Sequence, residues 1–75
     1  MGNKVPRVTG EQAVAAFRKA GYEIDRTSGS HKILRHPTKV GLSVPVHKGC
    51  TIGVGLLARL IKDADMTIEE FRTLL

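Results

Sequence analysis

Acidic residues are missing from the middle of this chain: no Asp or Glu lies between Asp25 and Asp63. That window instead holds Arg26, Lys32, Arg35, Lys39, Lys48, Arg59 and Lys62, together with all three histidines. A magnesium site built on paired carboxylates is therefore excluded from it. Cysteine is scarce as well. Cys50 is the single one, so no internal disulfide can form, and neither an apolar signal segment nor a membrane-length apolar run is present. The expected setting is a reducing cytoplasm, with no membrane partner. Zinc is poorly served, because His47 and Cys50 are the only plausible ligands at short spacing. No metal and no cofactor is expected. With no internal repeat, no low-complexity segment and only 75 residues, the chain has room for one domain, 1–75, with a small core.

What is present favours a folded basic protein. Hydrophobic residues make up 41% of the chain and the net charge of +5 is moderate, so enough apolar surface exists to offset the entropy of folding. A pI near 9.9 points to a polyanionic partner. Charge alone does not separate RNA from DNA, a membrane surface or an acidic protein.

Periodicity orders the elements. Residues 1–8 are expected to be a flexible N-terminal segment. Thr9 and Gln12 form a capping-box pattern, and Ala13, Ala16, Phe17 and Ala20 recur at helical spacing, so a helix is expected from about Gly10 to Ala20, stopped by Gly21. Tyr22 to Arg26 alternates and reads as a strand, followed by a Thr27-Ser28-Gly29 turn. Ser30 to Arg35 is the second strand. In the third, Leu42, Val44 and Val46 oppose Ser43, Pro45 and His47, and the missing N–H of Pro45 favours a sheet edge. Leu57, Leu60, Ile61 and Ala64 mark a second helix. Thr67 with Glu70 caps a short third one that carries Phe71, Leu74 and Leu75. The order implies an α+β fold, a three-stranded antiparallel sheet with helices on one face. The facing of His31 stays open, because Ile33 and Leu34 are adjacent and both apolar.

His31 is the candidate acid–base group, because imidazole is the side chain suited to proton transfer at neutral pH, although a strand histidine can equally be a surface or packing residue. Gly29 can admit a ligand close to the backbone and the Ser30 hydroxyl can bond a phosphate oxygen, or both can be turn chemistry. His47 suits a supporting place on phosphate. His36, beside Pro37, reads as a solvent-exposed strand end. Lys32, Arg35, Lys39 and Lys48 are candidate RNA-phosphate contacts, against the plain alternative of a solvated basic surface. RNA suits such a site chemically. Its 2′-OH is an internal nucleophile, so cleavage needs proton transfer and charge stabilisation but no metal-bound water.

The helix ending in Ala20-Gly21-Tyr22, Gly29-Ser30-His31, Val44-Pro45-Val46-His47, Gly55-Leu56-Leu57, Ile61-Lys62-Asp63-Ala64 and Glu69-Glu70-Phe71 stand in an order that resembles the HicA, or YcfA-like, family of mRNA-interferase toxins over about Thr9 to Leu75. The resemblance implies an α-β-β-β-α fold like that of double-stranded-RNA-binding domains. It further implies an endoribonuclease toxin of a type II toxin–antitoxin system that acts on mRNA, a HicB-type antitoxin partner, and a catalytic role for His31. Family members often carry Gly-Thr-Leu-Arg at the start of the second helix; here Leu56 and Ala58 replace the hydroxyl and the basic residue. The alternatives to the toxin are a noncatalytic RNA-binding module and a protein-interaction domain for an acidic partner. Oligomeric state is left open by the sequence.

Overall fold

The structure, a computed structural model, describes residues 4–75. Its elements run α1 (Gly10–Lys19), β1 (Glu23–Ser28), β2 (His31–Arg35), β3 (Leu42–Pro45), α2 (Val54–Asp63) and α3 (Ile68–Thr73). The three strands form one antiparallel sheet in the order β1-β2-β3. This is the α+β, α-β-β-β-α layout with a short C-terminal helix that the periodicity and the resemblance imply.

Local chemistry accounts for the helix starts. The Thr9 hydroxyl accepts from the Gln12 N–H at 3.1 Å while the Gln12 side chain accepts from the Thr9 N–H at 2.9 Å, a complete capping box. Thr67 and Glu70 repeat it for α3 at 3.0 and 2.8 Å. The α2 helix begins differently: Gly53 caps it without a side-chain hydrogen bond, and its first turn has no acidic residue.

The strand connections depend on one glycine. Ser28 pairs with His31, so β1 extends two residues beyond the alternating run, and only Gly29 and Ser30 form the turn. Two-residue hairpin turns need a positive φ at their first central position; Gly29 supplies +59°. A Cβ there would touch nothing, so the conformation, rather than close approach of another group, requires glycine.

Register gives each face of the sheet its residues. Lys32 pairs with Val44 and Leu34 with Leu42, and because Leu34, Leu42 and Val44 are buried, this set faces the helices. His31 pairs with Pro45 and Ile33 with Ser43, on the face that no helix covers. Pro45 ends an edge strand, where its missing N–H costs no ladder bond.

The core joins Ala13, Val14, Ala16 and Phe17 of α1 with Leu57, Leu60 and Ile61 of α2, Ala64 and Phe71. Phe17 lies 6.0 Å from Tyr22 and 5.1 Å from Phe71 between ring centres, so all three aromatic side chains of the chain are in the core. Leu75, placed by periodicity on the apolar face of α3, is half exposed, one residue beyond the half-buried Leu74 at the helix end. Of the segment 1–8 expected to be flexible, 1–3 lie outside the described residues. At its other end Val8 is buried and its carbonyl accepts from the Ile52 N–H at 2.8 Å, beside a Thr9–Thr51 bridge.

Candidate nucleic-acid interface

The helix-free sheet face and the corner at its His31 end form the candidate site. His31 opens β2 directly after the hairpin turn and is exposed. Beside it, the Val46 N–H donates to the Ser30 carbonyl, carrying the β2–β3 pairing one step past Pro45. Ser30 and His31 are thereby held against Pro45 and Val46, and the exposed His47 and Lys48 follow at once. The next turn is closed by the Cys50 N–H donating to the His47 carbonyl at 2.9 Å. Gly29-Ser30-His31 and Pro45-Val46-His47, fifteen or so residues apart in the chain, thus meet at one corner.

Helix α1 supports that corner from below. A Cβ on Gly10 would lie 2.8 Å from the Val46 Cα and closer still to the Pro45 carbonyl oxygen. Glycine at the first position of the helix lets the two backbones touch, which fixes the height of the strand end that precedes His47.

Other predicted residues are placed elsewhere. Lys32 is half-buried and faces the helix side, opposite to His31. Arg35 shares the open face with His31 but lies four residues along the strand, about 13 Å at the usual rise. Lys39 is half-buried in the loop 36–41 at that same far end. The seven candidates therefore divide: Ser30, His31, His47 and Lys48 share one corner, Lys32 sits behind it, and Arg35 and Lys39 are remote.

Arg35 also differs in electrostatics. A register shift between Ile24 and Arg26 makes Asp25 an extra residue in β1, and its carboxylate approaches the Arg26 guanidinium at 3.3 Å and that of Arg35 at 3.7 Å. No carboxylate partners His31, His47 or Lys48 among the described residues. His36, read from sequence as an exposed strand end, is half-buried; its ring lies 5.0 Å from that of Tyr22 and its Nδ1 accepts from the Thr38 N–H at 3.1 Å. The proline-turn position explains this, since the chain folds the imidazole back over Gly21.

Sequence reasoning missed Asp25 and Glu23 as members of this face. Among the described residues no three His, Cys, Asp or Glu side chains gather where they could hold a metal ion. At the start of α2, Leu56 is 43% exposed and Ala58 half-buried, so the departure from the Gly-Thr-Leu-Arg pattern leaves an apolar surface there.

A family model described as HicA toxin of bacterial toxin-antitoxin matches residues 10–66, well over half of the chain and inclusive of the whole sheet. No curated protein matches.

Proposed function

We infer the activity of this chain from its family: it belongs to the HicA toxin family of bacterial toxin–antitoxin systems, so it acts as a toxin and has an antitoxin partner. Its toxic activity is metal-independent cleavage of messenger RNA in the cytoplasm, which arrests translation. The observation that carries this reading is the position of His31, exposed on a helix-free face at a corner shared with Ser30, His47 and Lys48, where no carboxylate of the described residues competes.

In this mechanism the ribose 2′-oxygen attacks the adjacent phosphorus, the bond from phosphorus to the 5′-oxygen breaks, and a 2′,3′-cyclic phosphate forms. One proton must leave the 2′-OH and one must reach the departing 5′-oxygen. His31 is the general acid–base group of that exchange. Lys48 and His47 offset the charge that develops on the phosphate oxygens, and the Ser30 hydroxyl positions one of them. A HicB-type antitoxin inhibits by covering this corner, with an acidic face toward its cations. Hydrogen exchange that is slowed by the antitoxin around Ser30 to Lys32 and Val46 to Lys48 is the expected footprint; protection confined elsewhere would replace occlusion by remote inhibition.

The test compares wild type with His31→Ala on one RNA and on the same RNA bearing a single 2′-deoxy position at the cut. His31→Ala should keep its fold and its binding while cleavage falls by about 10² to 10⁴. Cleavage should persist in EDTA and leave a cyclic phosphate. Cutting of the deoxy substrate would remove the internal-nucleophile mechanism, and full activity of His31→Ala would remove the assignment. RNA bound by both proteins and cut by neither would favour the noncatalytic module.

A further inference from the structure

The open face has an anomaly at its far end. A surface that only held phosphates would exclude carboxylates, because like charges repel. Yet Glu23 and Asp25 stand there. Glu23 pairs across the strands with Arg35, remains exposed, and makes no ion pair among the described residues. Asp25 is 29% exposed at its side chain and lies between the guanidinium groups of Arg26 and Arg35, which are 69% and 74% exposed. Glu23, Asp25 and Arg35 line one cleft with Gly21, Ile24, His36 and Pro37.

A nucleobase fits this chemistry where a phosphate does not. Base edges are uncharged and present N–H donors that a carboxylate accepts, alongside carbonyl oxygens that a guanidinium donates to. Guanine alone carries two adjacent N–H donors beside a carbonyl on its Watson–Crick edge, the complement of a free carboxylate next to an arginine. Single-stranded RNA exposes that edge, and its bases stack on arginine planes. Stacking on Phe17, Tyr22 or Phe71 is not offered, since all three are in the core; the aromatic ring that lines the cleft is the imidazole of His36.

We propose that the cleft lined by Glu23, Asp25, Arg35, His36 and Pro37 is a base-recognition subsite for a guanine of single-stranded RNA, lying on the same sheet face as the scissile phosphate at His31. Glu23 accepts from the guanine N–H donors, Arg35 donates to its carbonyl, and Asp25 holds the arginine in place. The separation along β2, about 13 Å, corresponds to at most about four nucleotides at the stacked rise of about 3.4 Å, and to fewer where bases splay out. The proposal rests on RNA being the ligand, as in the function proposed above, and adds to it a specificity that the His31 corner alone would lack.

The experiment measures binding without requiring cleavage. Fluorescence anisotropy of the His31→Ala protein is followed with labelled octauridylate and with octamers in which one uridine is replaced by guanosine, adenosine or cytidine. The guanosine octamer should bind about tenfold more tightly than the others. Adding Glu23→Gln should make the guanosine octamer and octauridylate bind alike, whatever the loss of one negative charge does to both. In the otherwise wild-type protein, Glu23→Gln should spread cleavage over sites that lack the guanine. Equal binding of all four octamers, or a guanosine preference that survives Glu23→Gln, overturns the subsite. Base-indifferent binding by a protein that still cuts RNA removes the subsite alone. A guanosine preference in a protein that never cuts keeps the subsite and removes the ribonuclease, and no binding to any octamer removes both.

Discussion

Leu34 and Arg35 are neighbours on β2, yet Leu34 is fully buried in the core while Arg35 projects into solvent beside Asp25. The same alternation puts Val44 in the core and Pro45 beside His31. One face of the sheet thus supplies most of what holds so short a chain together, and the other is left free of that duty. On the covered face any change in volume is felt by α1, α2 and the strands at once. On the open face a side chain can be altered without a packing partner to disturb, which is why chemistry can be carried there by a domain with little stability to spare.

Breaking the covered face should have the largest effect. Leu60 packs from α2 into the core, so Leu60→Ala should cost about 2 to 5 kcal/mol in equilibrium denaturation, and Leu60→Asp should leave the chain unfolded by burying an unpaired charge. Ser43→Ala on the open face should stay within about 0.5 kcal/mol of wild type. Comparable losses at both positions would mean that the two faces do not divide their duties.

Much of this division was legible in the sequence because its causes are local. Thr9 with Gln12 and Thr67 with Glu70 cap their helices through residues three apart, and Leu42 and Val44 declare their face by strict alternation. Leu57, Leu60, Ile61 and Ala64 are all buried as their spacing requires. What was illegible depends on register or on remote pairing. His31 could not be assigned a face while Ile33 and Leu34 looked alike, and only the pairing of His31 with Pro45 decides it. Lys32 looks adjacent to His31 in the chain but faces the other way. Asp25 closes the acidic boundary of the basic window, and no pattern shows that a one-residue shift in β1 turns it toward Arg35. Val8 and Ile52 reach the core through a hydrogen bond between two loop segments, a contact with no periodic signature.

A smaller effect is expected where the two regions meet. Gly10→Ala would force α1 away from the Pro45–Val46 backbone, and overpacking of this kind costs about 1 to 3 kcal/mol. Because that strand end precedes His47, the variant should also lose RNA cleavage at temperatures well below its own melting transition. Unchanged melting and unchanged cleavage would show that the corner does not need the contact.

The open face itself should respond to salt rather than to stability measurements. Lys48→Ala should weaken RNA binding by similar factors on unrelated sequences and reduce the slope of log K against log salt by about one, as the loss of a single phosphate contact does. The melting temperature should not move. Lys32→Ala, on the other side of the sheet, should change the slope less; a larger change than at Lys48 would place the phosphate path behind the sheet instead of across its open face.

The smallest effect isolates one buried hydroxyl on the covered face. Tyr22 is buried against Phe17 and donates its O–H to the Val40 carbonyl at 2.8 Å. Burial raises its pKa above the ordinary 10.0, and the charge of Asp63 pushes it the same way. The folded protein therefore keeps this proton to a higher pH than the unfolded chain does. Its contribution to stability is fully present below about pH 10, the unfolded value, and is lost as pH rises through the higher folded value. Tyr22→Phe removes both the hydrogen bond and the titration. At neutral pH the variant should be less stable by about 0.5 to 1.5 kcal/mol, the usual net worth of one such bond. Above pH 10 the gap should narrow, because the unfolded wild-type chain gains by ionising a phenol that the folded state keeps neutral. Every other side chain is common to both proteins, so the difference between the two denaturation curves, taken at each pH, reads Tyr22 alone. A gap that stays constant from pH 8 to pH 11 would mean that the hydroxyl ionises as freely in the folded protein as in the unfolded one, and that this part of the covered face is open to water.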